Sequence, residues 1–136
     1  MAYLAFGSNL GNREENILEA YRRIGEGVGN IVRRSSFYYS KPWGYVSEND
    51  FVNTVVCCET GLTPRQLLEA TQAIEREMGR TVKSAAVGDY HDRIIDIDIL
   101  LYGDERVEEP DLRIPHPLME ERDFVMVPLR EINKDY

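Results

Sequence analysis

Two capped helical segments, each lying between β-rich runs, are the feature that most constrains this fold. The first begins after Asn12 with a capping box, and its apolar residues recur at helical spacing. Gly25 is a natural C-terminal stop, so the pattern predicts a helix over residues 13–24. A second capping box at Thr63 opens another amphipathic helix, which Gly79 is expected to end.

The runs around these helices are rich in β-branched and aromatic residues and predict strands. They cover residues 3–7, 30–40, 51–60 and 94–102. The resulting order is β-α-β-β-α-β, the pattern of an α+β, ferredoxin-like sandwich with a mainly antiparallel sheet. We expect a single domain over residues 1–136, with the helices on one face of the sheet and a functional site on the other.

Composition and charge exclude several classes of function. The net charge of −8 argues against a nucleic-acid-binding protein, which would need basic patches. No apolar run approaches the roughly 20 residues that a membrane span requires, and the N-terminus lacks the basic start of a signal peptide, so we expect a cytoplasmic protein. The adjacent Cys57 and Cys58 would point to opposite faces of a strand, which indicates buried thiols in a reducing compartment.

The stretch RIIDIDILLYG holds two aspartates inside a run that otherwise predicts a strand. Aspartate is depleted in strands, and residues two apart share one face, so Asp96 and Asp98 should lie side by side with isoleucines turned to the core. One interpretation is a solvated polar face. The other is a divalent-cation site, since Mg²⁺ takes one or two carboxylates together with water and the phosphates of a substrate.

Basic and polar residues near this strand could complete a site for an anionic ligand. An acidic protein must concentrate its few basic residues near such a ligand or recruit a cation. The candidates are Arg80, Lys83, Arg93, His116, Arg122 and the helical pair Gln72 and Glu75. For each arginine or lysine a solvated surface charge is the alternative, and for Gln72 and Glu75 the alternative is an exposed helix face.

A second group combines aromatic rings with an amide. Trp43 and Tyr45 lie in a loop, and Phe51 and Asn53 begin the next strand on one face. A flat heteroaromatic ligand needs rings beside it and an in-plane partner such as an asparagine amide. A place in the core is the alternative for Phe51.

Together these motifs resemble the 6-hydroxymethyl-7,8-dihydropterin pyrophosphokinase family. The resemblance runs in order through AYLAFGSNLGN, KPWG, FVNTVV, R-x-x-D-I-D-I-L, PHP and ER-x-F, and so covers nearly the whole chain. It implies a ferredoxin-like fold and an enzyme that transfers pyrophosphate from ATP to a pterin hydroxymethyl group, releasing AMP. It also implies a monomer that binds small molecules, and the composition already argues against nucleic acid and membrane as partners.

The resemblance further implies a role for individual residues. Asp96 and Asp98 match the pair that holds two Mg²⁺ ions on the ATP phosphates, and Arg80 and Arg93 match the arginines that clamp the triphosphate. The positions that match the ATP site are Gln72, Glu75, Ile99, His116 and Arg122, with Lys83 as a substitute for a loop arginine. The positions that match the pterin pocket are Pro42, Trp43, Phe51, Asn53 and Phe124.

Two other functions remain open on the sequence. One is a Mg²⁺-dependent phosphohydrolase or nucleotidyltransferase that uses the same carboxylate pair. The other is a non-catalytic sensor domain of the same fold, which would bind a small molecule without consuming ATP. In the enzyme interpretation, the long loop over residues 80–92 would close on the nucleotide and exclude water.

Overall fold

Up to residue 102 the helices and strands follow the predicted order, except that one predicted strand is divided in two. The structure, a computed structural model, describes residues 1–42, 49–79 and 93–136. Its elements are β1 (Ala2–Ser8), α1 (Arg13–Gly27), β2 (Gly29–Arg34), β3 (Tyr38–Ser40), β4 (Phe51–Thr60), α2 (Pro64–Glu77), β5 (Asp96–Tyr102), β6 (Val107–Glu109), β7 (Leu112–Ile114), a 3₁₀ turn (Met119–Glu121) and α3 (Asp123–Ile132).

The main sheet has the strand order β2-β4-β1-β5, with β3 also paired to β4. Every pairing within the described residues is antiparallel, which makes the fold the expected ferredoxin-like α+β sandwich. The strand predicted over residues 30–40 is divided into β2 and β3. Ser35 lies at the break, where its backbone N–H donates to the carbonyl of Val55 and its side chain accepts from the Val55 N–H.

Helices among the described residues pack on both faces of the sheet. On the first face, α1 and α2 bury an apolar core that includes Phe6, Ile17 and Ile97. On the second face, Val125 and Leu129 of α3 pack with residues of β1, β4 and β5. The prediction that all helices lie on one face was therefore wrong, because the amphipathic C-terminal segment forms α3 and buries its own apolar side.

The helix boundaries follow local signals with one exception. Thr63 and Gln66 form the predicted capping box, and α2 ends just before Gly79, whose φ of 107° is in the left-handed region that glycine favours. The first helix, in contrast, continues through Gly25 to Gly27. Glycine inside a helix costs only about 1 kcal/mol relative to alanine, so a single one did not end it.

Three further features complete the fold. The hairpin of β6 and β7 was not predicted, and Arg65 at the start of α2 holds it through ion pairs with Glu109 and Asp111. Cys57 and Cys58 are free, buried thiols, as expected. Within the residues that the structure describes, there is no helix of sufficient length and apolar character to cross a membrane.

Candidate active site

A row of residues across three strands defines the centre of the candidate site. Gly7 in β1 pairs with Asp96 in β5 on one side and with Asn53 in β4 on the other. Ala5 pairs in the same way with Asp98. These residues share the face on which α3 packs, but α3 covers the half of that face around Ala5. The half around Gly7 therefore carries the polar groups.

Asp96 and Asp98 lie side by side, as the strand pattern predicts. Ile97 between them points into the core under α1 and α2, whereas both aspartates are half-buried on the opposite face. Among the described residues no group of three or more histidine, cysteine or acidic residues could enclose a metal ion. A pair of carboxylates without further protein ligands fits Mg²⁺, which keeps water and substrate phosphates as its other ligands.

Arg93 lies beside the carboxylate pair. Its Nη1 is 3.2 Å from Oδ1 of Asp96, and its side chain is only 12% exposed. The Nε atom is buried without a hydrogen-bond partner in the part of the chain that the structure describes. Arg93 therefore places a positive charge beside the carboxylate pair.

Asn9 fixes the position of Arg93 and was not predicted as a site residue. Its side-chain Oδ1 accepts a hydrogen bond from the Arg93 backbone N–H at 2.7 Å, and the backbone N–H of Asn9 donates to the Arg93 carbonyl at 3.0 Å. Its Nδ2 donates to the carbonyl of Asn49 at 3.1 Å. Asn9 therefore links the end of β1 to the chain before β4 and before β5. The motif GSNLG, which contains it, was the available signal.

Glu75 of α2 is buried, with 2% of its surface exposed, and is not part of an exposed helix face. Its Oε2 accepts a hydrogen bond from the backbone N–H of Ile97 at 2.9 Å. Because Ile97 lies between the two aspartates, Glu75 holds the segment that carries them. Gln72, one turn earlier, is half-buried, and the Ile99 side chain lies in the core beneath the helices.

Asn53 can offer a ligand only one kind of hydrogen bond. Its Nδ2 donates to the carbonyl of Tyr38 at 3.0 Å and to Oγ of Ser40 at 2.9 Å, which uses both amide hydrogens. The Oδ1 atom faces Gly7, since a Cβ at that glycine would lie 3.4 Å away from it. Phe51 lies at the same distance from that position, so an acceptor and a ring adjoin the glycine.

Three further predicted site residues, His116, Arg122 and Phe124, lie in the C-terminal region. The backbone N–H of His116 donates to the carbonyl of Leu100. The ring Nδ1 of His116 accepts a hydrogen bond from the backbone N–H of Leu118 at 3.2 Å. In the neutral ring the proton is therefore on Nε2, which makes this nitrogen a donor. The Arg122 guanidinium lies 5.6 Å from the ring centre of Phe124, a half-buried side chain next to the α3 core.

Comparison with known proteins identifies the family of this chain. A sequence model of the family described as 7,8-dihydro-6-hydroxymethylpterin-pyrophosphokinase (HPPK) matches residues 3–134. The chain belongs to this family. Like the other members of the HPPK family it is a transferase of the diphosphokinase class.

Relatives in the HPPK family are similar over nearly the whole chain. A 2-amino-4-hydroxy-6-hydroxymethyldihydropteridine pyrophosphokinase of Porphyromonas gingivalis is 47% identical over 97% of this chain and 90% of its own length. Proteins of the same name from Aquifex aeolicus and Haemophilus influenzae are 41% and 43% identical, and the chain spans 78% and 82% of their lengths.

Solved structures of HPPK proteins share the fold. A crystal structure titled as HPPK-DHPS in complex with substrates superposes with a TM-score of 0.73 at 17% identity over 99% of this chain. The HPPK-DHPS of Plasmodium falciparum superposes with a TM-score of 0.68 over 96% of this chain, again at 17% identity. This chain spans 40% of the length of each of these structures.

Several predicted site residues cannot be placed. Trp43, Tyr45, Arg80 and Lys83 lie outside the described residues. Pro42 is half-buried at the end of a described segment. The described part of this HPPK family member thus brings together residues from three strands, with Arg93 beside Asp96 and Glu75 of α2 bonded to the backbone of Ile97.

Proposed function

We propose that this chain transfers the pyrophosphoryl group of ATP to the hydroxymethyl group of 6-hydroxymethyl-7,8-dihydropterin, in folate biosynthesis. The observation that supports this most directly is the row in which Asp96 and Asn53 flank Gly7. A carboxylate pair suited to Mg²⁺ and phosphates thereby stands about 10 Å from an amide that can recognise a heterocycle, since neighbouring strands are about 4.8 Å apart.

In this proposal the nucleotide lies over β5. Asp96 and Asp98 would hold two Mg²⁺ ions, which when bound would neutralise the phosphates and polarise the reacting oxygen. Arg93 contributes positive charge from 3.2 Å beside Asp96. His116 donates through Nε2 to a nucleotide oxygen, and Arg122 adds a further cation. Gln72 and, from the segment 80–92, Arg80 and Lys83 complete the proposed ATP site. Glu75 supports this site from below through its bond to the Ile97 N–H, and Ile99 contributes its backbone, since its side chain lies in the core.

The pterin would occupy the other end of the row. Phe51 and Phe124 supply rings that stack against it, with Pro42 and Trp43 beside them. Asn53 Oδ1 accepts a hydrogen bond from the exocyclic amino group, because its amide hydrogens are already donated to Tyr38 and Ser40. Phosphoryl transfer has a loose transition state, so holding the hydroxymethyl group in line with the β-phosphorus is the main contribution of the protein.

Product analysis tests the proposal. The chain is incubated with ATP, Mg²⁺ and the hydroxymethyl pterin, and AMP and the pterin diphosphate are quantified. We expect AMP to form only when the pterin is present. ADP or free phosphate would instead indicate a phosphohydrolase, and binding without consumption of ATP would indicate a sensor domain.

A matched pair of variants tests the carboxylate site. Asp98→Asn removes one charge with little change of shape and should lower kcat by about 10²-fold or more. Asp104→Asn, in the exposed turn after β5, is the control and should leave kcat unchanged. Normal Mg²⁺-dependent turnover in Asp98→Asn would contradict the assignment.

A further inference from the structure

Arg13 occupies the first position of α1, where a cation is unfavourable. The N-terminus of a helix carries the positive end of the helix dipole, which favours acidic residues such as Glu14 and Glu15. Glu14 offsets little of this cost, because its Oε1 lies 3.9 Å from Arg13 Nε in a partly exposed pair. The presence of an arginine at this position needs another explanation.

The contacts of the Arg13 side chain supply that explanation. Its Nη1 donates to the carbonyl of Asp50 at 2.9 Å, and its guanidinium carbon lies 5.9 Å from the ring centre of Tyr39. This distance allows a cation–π contact with the ring. One side chain of α1 therefore contacts both β3 and the residue that precedes β4.

These two contacts hold the end of a short strand pair. The strand β3 has three residues, and its last one, Ser40, pairs with Phe51, the first residue of β4. The ends of such short pairings open readily unless other contacts hold them. Arg13 holds both partners at this end, since it contacts Tyr39 on one side and Asp50 on the other.

The same strand end carries polar groups of the candidate site on its opposite face. Tyr39 pairs with the core residue Val52 and faces α1, whereas the side chains of Ser40 and Asn53 meet on the other face. Asn53 Nδ2 donates to two oxygen atoms of β3, so the orientation of this amide depends on where β3 lies. Arg13 can therefore act on Asn53 through β3, from the far side of the sheet.

We propose that Arg13 is a positioning residue for the acceptor end of the site. By linking Tyr39 and Asp50 to α1, it fixes β3 against β4 and keeps the Asn53 amide and the Phe51 ring in the geometry that a ligand needs. Arg13 itself takes no part in the chemical step. The inference rests on the proposed function, because it takes a pterin to be the ligand that Asn53 binds.

The test compares Arg13→Ala with wild type and with Arg23→Ala. Arg23 is a matched control on the same helix, because its side chain is 28% exposed against 32% for Arg13 and its ion pairs are with Glu19 and Glu77 on the helices. Melting temperature, steady-state kinetics and calorimetric titration with the hydroxymethyl pterin and with ATP are measured for each protein. In Arg13→Ala we expect the KM and Kd for the pterin to rise about fivefold or more, with kcat and the KM for ATP within about twofold. In Arg23→Ala all four constants should stay within about twofold of wild type.

Two further measurements separate positioning from a general loss of stability. Tyr39→Ala should also weaken pterin binding, and the double variant with Arg13→Ala should weaken it by less than the product of the two single effects, because both changes release the same strand end. In the free protein, the side-chain amide hydrogens of Asn53, followed by NMR, should exchange faster in Arg13→Ala than in Arg23→Ala. This exchange measurement needs no ligand, so it tests the inference even if wild type forms no AMP and the proposed function fails.

Several results would overturn the inference. Unchanged pterin affinity in Arg13→Ala would show that the site does not depend on this residue. A parallel rise in the KM for ATP, or equal effects in Arg23→Ala, would indicate a general distortion. Independent effects of the Arg13 and Tyr39 changes, or unchanged exchange at Asn53, would show that Arg13 does not act through β3. If Arg13→Ala does not fold, Arg13→Lys takes its place under the same criteria, since lysine lacks the planar guanidinium that stacks on a ring while donating.

Discussion

Replacing Glu75 by alanine would show how the strand that carries both aspartates is held in place. The Glu75 carboxylate is buried and accepts the N–H of Ile97 at 2.9 Å. Because β5 is an edge strand of the described sheet, no neighbouring strand lies on that side to replace this acceptor. The alanine variant would leave a buried backbone donor without its partner.

The expected cost follows from two contributions. An unsatisfied buried donor costs about 1–3 kcal/mol, and loss of the buried Cγ methylene costs about 0.8 kcal/mol. Removal of the buried carboxyl group offsets part of this, because burial of a polar group is itself unfavourable. We therefore expect the free energy of unfolding to fall by about 2–3 kcal/mol, and the melting temperature by roughly 6–12 °C for a chain of this size. Glu75→Gln keeps an oxygen acceptor and should lose less.

Two assays measure this effect. Calorimetry gives the melting temperature, and amide hydrogen exchange reports on the Ile97 N–H, which should exchange faster in Glu75→Ala. Glu77→Ala is the control, because the Glu77 side chain is 59% exposed and its ion pair with Arg23 lies on the surface. The expected effect of this change is below about 1 kcal/mol. Equal stability of the two variants, with unchanged exchange at Ile97, would refute the reasoning.

Two further predictions concern the interior of the sheet. Tyr21→Phe removes a buried hydrogen bond of 2.6 Å to Thr54 and should lower the free energy of unfolding, measured in urea, by about 1–2 kcal/mol. The double variant Tyr21→Phe with Thr54→Val should lose less than the sum of the two single variants, because both changes remove the same hydrogen bond. Burial raises the pKa of the Cys58 thiol, so this thiol ionises at a lower pH in the unfolded chain than in the folded one. The free energy of unfolding should therefore fall as the pH rises above about 8.5. Cys58→Ala should reduce this fall in urea unfolding, and an equal fall in the variant would contradict the assignment.

Much of the fold followed from local signals in the sequence. The strand over residues 51–60 has the predicted bounds, and Thr63 caps α2 as its capping box indicates. These signals succeed because β-branched runs and helix caps involve residues that are close in the chain. The matching motifs also identified the family, which the comparisons confirm.

Other parts of the fold depended on contacts between distant residues. The break at Ser35 exists because its side chain and backbone both bond to Val55 of another strand. The hairpin of β6 and β7 has strands of three residues, too short for an alternating pattern to be recognised. Neither feature has a signature in its own segment.

The sequence by itself determined that Asp96 and Asp98 share one face, because successive side chains of a strand alternate between its two sides. Only the tertiary structure decided what stands opposite them. The register of β1 with both of its neighbours places Gly7 between Asp96 and Asn53, and the packing of α2 on β5 buries Glu75. Alternation is a property of one strand, whereas register and burial arise only when segments far apart in the chain pair and exclude water.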